Sequence, residues 1–553
     1  MHLRKLWLLA GVVLTGLVLV ATGSARQTSS KAAGTMVIGL EQEPTILNTG
    51  IIGGDALANV YISVPLWSGS YKITPNFTYA PEVVSSVKVQ NSPFRLTYHI
   101  KKNAYWNDGG KKVPVSANDF VFTWHVTMNP KVQILTTSGF DQITSAKIIN
   151  KKTVRFTFKA PYAGWKLLFG DNEGILPSFA LKNDESFNKV WLNFVNDPRN
   201  NKPLSMGPFI MTGTGDWIHG RQLTLVRNPL WWGGKAKLSK LVFRFYADSQ
   251  TEAQQIKSGE IDTFNPQPQV FLVPLRHTSG LRTQVGKGPV YEHIDFNVGF
   301  GRSEPLLSQL WMRQAFAYAI DRTAIVGALF KKTGIAPGLG VLNNVGIFGK
   351  YYTQPWKYVK HSNAKALKLL RAHCTGGPGK GDGIFVCNGK KASFGFAWRS
   401  GNQLRQLTFE ILQQQLKAAG IEIKADDSAD LFSSRLPKGD YDITLYAWQG
   451  SPDLTQNTNI YACRNNQTNF AQQNTQGYCN AKVTRLLKAV NVTLDAKRQA
   501  RLYNLAAAQM AKDLNTIPLY QKPTYLIYRS RFKGMKENPT QETFMWNIGR
   551  VAG

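Results

Sequence analysis

The chain is short of acid. Across its 553 residues, 34 Asp and Glu stand against 66 Lys and Arg, a formal charge of +32. An excess of that size points to nucleic acid, an anionic surface or an acidic ligand as the class of partner. The bases are scattered, in doublets such as Lys101-Lys102, Lys111-Lys112 and Lys331-Lys332, and no nucleic-acid motif is present. Nucleic acid is therefore not expected, and a solvated basic face is. Cysteine is scarce too: the four residues fall into two local pairs, Cys374 with Cys387 and Cys463 with Cys479. In an oxidising compartment each pair closes a short loop, stabilising the chain by roughly 3 kcal/mol. Three connectivities are formally open, and proximity in sequence favours this one. Neither pair has C-x-x-C spacing and no His sits at a helical interval beside them, so no zinc site is expected.

Catalytic signatures are missing as well. There is no G-x-S-x-G elbow and no H-E-x-x-H pair, and the eight His residues show no ligand spacing. Glu292, His293 and Asp295 are close in sequence, but neighbours on a strand face opposite ways, and His293 with Asp295 reads as a strand-edge contact. Asp440 and Asp442 read as caps of the Lys438-Gly439 turn, and the glycine-rich stretch 376–383 lacks Walker spacing. No enzyme, cofactor or metal is expected. Hydrophobic residues at 43% and aromatics at 11% exclude a disordered chain.

Residues 1–25 read as a secretory signal peptide. Arg4 and Lys5 precede an apolar run from Leu6 to Val20, and small residues follow to Ala25. The run is short for a bilayer span, although a retained anchor stays open. No Cys lies there to carry a lipoprotein anchor, and no later segment is long and apolar enough to span a membrane. The expected location is extracytoplasmic: periplasm, cell envelope or secreted.

From Met36 the chain mixes strands and helices without a repeat, an α/β pattern of two lobes. Strands are predicted at 35–40, 95–100, 154–158, 222–227, 240–245, 261–264 and 421–424. Ser116 and Asp119 form a capping box for a helix over 120–128, and Gly259 stops a helix over 249–258 by adopting the left-handed conformation. Longer helices are predicted over 309–330, 404–419, 483–490 and 496–514, and a strand-like run over 517–528. The run YDITLYAWQGSPD (441–453) alternates as a strand and ends in a polar turn. A Trp at a strand exit, followed by Gly450, Ser451 and Asp453, is the composition of a small-molecule pocket and equally of a capped core strand.

The blocks YHIKKNAYWNDGGKKVPVSANDFVFTW (98–124), MGPF (206–209), RNPLWWGG (227–234), GEID (259–262), LWMRQAFAYAIDR (310–322), YDITLYAWQGSPD (441–453) and NTIPLY (515–520) follow one another in a characteristic order. That order resembles the peptide/nickel family of extracytoplasmic solute-binding proteins (family 5), receptors of oligopeptide and dipeptide ABC importers. The resemblance covers nearly the whole chain after the leader. It implies a bilobal periplasmic-binding-protein-like fold with an extra domain inserted in the first lobe. Domain I is then 36–70 with 200–290 and 521–553, the inserted domain 71–199, and domain II 291–520. It also implies non-covalent capture of a peptide or similarly sized solute by hinge closure, a monomer, and an ABC permease as partner. On the resemblance, Trp448 is the pocket Trp, with Gly450, Ser451 and Asp453 beside it and Asn265, Thr45 and Leu47 contributed by the first lobe. Peptide receptors carry an acid three residues after the Trp, where this chain has Ser451; Asp453 stands in if the turn carries it inward. The stretch thus favours a solute receptor over a strictly peptide receptor. A secreted hydrolase and an envelope-associated scaffold or chaperone are the alternatives.

Overall fold

The computed structural model describes residues 34–553 except 55, 171–173, 194, 289, 303, 332–337, 451 and 465–471. The expected leader at 1–25 and Ser451 lie outside the described residues. The predicted opening strand forms over Thr35–Leu40 and is buried along its length. It pairs in parallel with Lys240–Phe245 on one side and Thr263–Phe264 on the other, at the centre of an eight-stranded sheet. That sheet also takes Gln222–Arg227, Leu281–Gly286 and Thr524–Arg529, so the last strand of the chain returns to the sheet of the first, with Thr263–Phe264 between them.

A second sheet of five strands runs in the order Glu422–Ala425, Ser393–Ala397, Ile443–Gln449, Val290–Phe296 and Thr516–Gln521. Between Ser70 and Met206 the chain builds smaller antiparallel sheets, including Val84–Asn91, Phe94–Ile100, Ile143–Asn150 and Thr153–Phe158. Strand Lys202–Ser205 pairs with Tyr105–Asp108. The apolar cores follow the same grouping. One runs from Met36 through Phe243 and resumes at Leu526, and the other lies wholly between Tyr291 and Tyr520. Residues 34–553 form one compact unit.

Local signals explain most boundaries. The backbone N–H of Ser116 donates to Asp119 at 2.7 Å, starting the helix Ala117–Thr127. Gly259 takes φ +92° and ends Ser249–Ser258. The predicted helix over 309–330 is broken instead: Leu310–Ala319 stops at Ile320, whose backbone is extended, and Asp321 caps a new helix by accepting from the N–H of Ala324 at 2.9 Å. The strand-like run over 517–528 is also two elements. Pro523 has no N–H to continue a ladder, and the chain leaves one sheet at Gln521 and enters the other at Thr524. Both disulfides, Cys374–Cys387 and Cys463–Cys479, are formed as paired.

Candidate ligand cavity

The chain passes between the two large sheets twice, between Gly286 and Val290 and through Lys522-Pro523. These crossings lie side by side: the N–H of Lys522 donates to the carbonyl of Val290 at 2.9 Å. Next to them is a cavity of about 230 Å³. The first sheet and its helices supply Glu41, Tyr61, Glu252, Asn265 and Gln267; the second sheet and its helix supply Arg399, Asn402, Arg405, Tyr446 and Trp448.

Trp448 arrives there because strand Ile443–Gln449 exits its sheet beside Tyr291 and Val290. Alternation puts Tyr446 and Trp448 on one side, their rings 5.4 Å apart in a T-shaped contact. Tyr446 is fixed from below, since its hydroxyl donates to Asp295 at 2.8 Å. Trp448 is half-buried, and its indole Nε1 has no acceptor among the described residues.

Charge of both signs faces this space. Glu41 accepts from Ser249 at 2.5 Å and from Gln267 at 2.9 Å, and Gln267 in turn accepts from the Lys522 ammonium at 2.6 Å. Glu252 is 1% exposed and its side chain makes no hydrogen bond or ion pair among the described residues; burial, then the nearby Glu41 and Asp248 carboxylates, push its carboxyl well above the usual range. Burial also lowers the Lys522 ammonium. Arg399 donates through Nη1 to the carbonyl of Ser400 at 3.0 Å, while its Nε is buried without a partner and no carboxylate pairs with it among the described residues. Beneath the cavity Arg405 is paired with Glu292. Burial opposes ionisation of Glu292, but the Arg405 guanidinium and the Lys522 ammonium outweigh it and hold the carboxyl below its ordinary value.

Of the residues expected at the ligand, Trp448 and Asn265 border the same cavity. Asn265 also donates to Glu537 at 3.1 Å. Gly450 and Asp453 lie beyond Trp448 on a second cavity of about 70 Å³, which Trp448 also borders. There Asp453 accepts from the N–H of Thr455 at 2.7 Å, and loss of solvation raises its carboxyl. Asp453 therefore holds its own turn. Thr45 and Leu47 border neither cavity: Thr45 is exposed, and Leu47 is packed in the first core because the chain turns away after Pro44. His293 and Asp295 are not a strand-edge pair. Their strand lies between two others, both side chains are fully buried, and His293 Nε2 is 3.3 Å from Asp295. Asp442 does not cap the 438–439 turn but accepts from the N–H of Gly395 at 2.8 Å and pairs with Arg302.

Glu252, Arg399, Arg405 and Lys522 escaped the sequence reading. Glu252 and Arg405 did leave a signal there: each is a charge on the apolar face of a helix, Glu252 in line with Ile256 and Arg405 with Thr408 and Leu412.

Two lobes of mixed sheet and helix, joined by paired crossings with a polar cavity beside them, define a bilobal binding protein. The family model described as bacterial extracellular solute-binding proteins, family 5 Middle, matches residues 78–470. The chain belongs to that family, whose members are extracytoplasmic binding proteins serving ABC importers. It is 24% identical over 546 residues to the oligopeptide-binding protein AppA of Bacillus subtilis, covering 95% of this chain and 93% of the relative. The solved structure of AppA with a nonapeptide superposes with TM-score 0.80 at 22% identity, over 94% of this chain and 98% of that one. NikZ of Campylobacter jejuni in complex with Ni(L-His) superposes with TM-score 0.79 at 22% identity, over 94% and 100%.

Proposed function

We propose that this chain is an exported monomeric receptor that binds a short peptide or a similarly sized zwitterion in the cavity beside Trp448 and delivers it to an ABC permease without altering it. The leader at 1–25 directs export, and the lobes correspond to 36–70 with 200–290 and 521–553, to 71–199, and to 291–520. The observation that carries the ligand class is charge of both signs at one cavity. Arg399 has a buried Nε with no partner, a group that costs free energy until an acceptor reaches it. Glu252 and Glu41 stand on the facing lobe. A solute with an anionic end toward Arg399 and a cationic end toward the carboxylates satisfies both, and the Trp448 ring covers the apolar part between. A volume of about 230 Å³ suits a small solute better than a long peptide.

Two measurements test this. Native mass spectrometry of freshly purified protein is expected to show a co-purifying small solute. Calorimetric titration of Arg399→Gln is expected to lose about tenfold in affinity for peptides with a free carboxylate and almost nothing for the same peptides amidated. Equal losses for both forms would sink the assignment of Arg399, and failure of every short-peptide pool to bind the unaltered protein would sink the ligand class.

A further inference from the structure

The helices Ala481–Val492 and Ala496–Asp513 are joined by the short turn Thr493 to Asp495 and pack against each other. Val483, Leu487 and Val490 face inward on the first, and Ala500, Tyr503, Ala507 and Met510 on the second. The outer faces are basic. Lys482, Arg485 and Lys488 recur at helical intervals on the first helix, and Lys497, Arg501 and Lys512 share one stripe of the second; all six are exposed. The only acids in 481–513 are Asp495 and Asp513. Both are engaged: Asp495 accepts from the N–H of Arg498 at 2.7 Å, and Asp513 accepts from Tyr478, Asn480 and Gln509. Arg485, Lys497, Arg501 and Lys512 have no ion-pair partner among the described residues. Three aliphatic side chains stand among these bases, Val492 at 39%, Leu494 at 45% and Leu505 at 49% exposure.

We propose that this helical hairpin docks the protein onto an anionic bilayer. Its Lys and Arg side chains meet the lipid phosphates, while Val492, Leu494 and Leu505 enter the boundary between headgroups and acyl chains. The aliphatic residues decide the partner. A soluble polyanion satisfies the bases equally well but offers no apolar phase to the three side chains beside them. The surface is separate from the ligand cavity, none of whose lining residues lies on either helix.

The test is vesicle co-sedimentation of residues 26–553, which keep the compact unit whole and remove the apolar run at 6–20. Vesicles rich in phosphatidylglycerol are expected to retain about tenfold more protein than phosphatidylcholine vesicles, less so as salt rises. The triple variant Arg485→Glu, Lys497→Glu, Arg501→Glu is expected to lose most of that difference. A control with the same change in net charge elsewhere, Lys88→Glu, Lys147→Glu, Lys151→Glu, is expected to keep most of it. Leu494→Ser with Leu505→Ser is expected to weaken retention about threefold while leaving binding to soluble polyphosphate unchanged. Equal retention by both vesicle types overturns the proposal, as do equal losses in the two triple variants or polyphosphate binding without vesicle binding. Unchanged circular dichroism qualifies each variant. If a reversal variant fails this check, the corresponding Gln variants take its place.

Discussion

Arg405 Nε lies 2.5 Å from Glu292 Oε1, with both side chains nearly closed to solvent. One group sits in the first turn of a helix and the other on Val290–Phe296, an interior strand of the second sheet, so the pair fastens the helix that Asn402 caps to the floor of the cavity. Arg405→Met leaves the buried Glu292 carboxylate without its paired guanidinium, with only the Lys522 ammonium near it. The expected cost is about 3–5 kcal/mol in denaturant unfolding. Adding Glu292→Gln is expected to restore much of the loss; a single variant as stable as the unaltered protein would show that the pair has no such role.

Trp448→Ala is expected to separate ligand binding from folding. The side chain is half-buried, so its loss is expected to cost clearly less stability than the roughly 3–5 kcal/mol of a core Trp. Affinity for the co-purifying solute is expected to fall by about 2 kcal/mol, roughly thirtyfold, in calorimetry. The opposite pattern, large destabilisation with affinity retained, would make Trp448 a core residue.

Glu537 gives a pH dependence of defined sign. Burial raises its carboxyl from 4.5 to about 7, against a hydrogen bond from Asn265 that acts to lower it. Between those values the folded chain holds a proton that the unfolded chain releases. Stability therefore falls as pH rises through this window, by about 3 kcal/mol in all from this group. Glu537→Gln is expected to flatten that part of the profile in urea unfolding series, and an unchanged slope would locate the titration elsewhere.

Replacing Cys463 and Cys479 together by Ser is expected to lower stability by about 3 kcal/mol through release of a loop of 16 residues in the unfolded chain. Thermal unfolding with and without reductant checks this: the variant keeps Cys374–Cys387, so reductant should lower both proteins, the unaltered one by more, and bring the two to the same midpoint.

Much of the fold was legible because local chemistry and tertiary role coincide. Gly259 stops a helix through its own backbone freedom, and Ser116 with Asp119 starts one within a single turn. Where the tertiary role competes, reading by pattern fails. The apolar pattern runs unbroken through Ile320, but Asp321 caps a second helix there, and Pro523 divides what alternation presents as one strand. At the candidate site, Trp448 was marked by its strand exit and Asn265 came from the family resemblance, and both border the cavity. The site was hidden at Glu252, Arg399 and Lys522, which are distant in sequence and meet only when both sheets have formed.

The two crossings, one between Gly286 and Val290 and one at 522–523, run alongside one another, tied by the Lys522 to Val290 hydrogen bond. A single connection between two bodies lets them swivel in any direction. Two connections abreast remove the swivel and leave one soft motion, a fold about the line that passes through both, as in a door hung on two pins. Any relative movement of the two sheets about that line opens or narrows the cavity that Trp448 and Asn265 border from opposite sides.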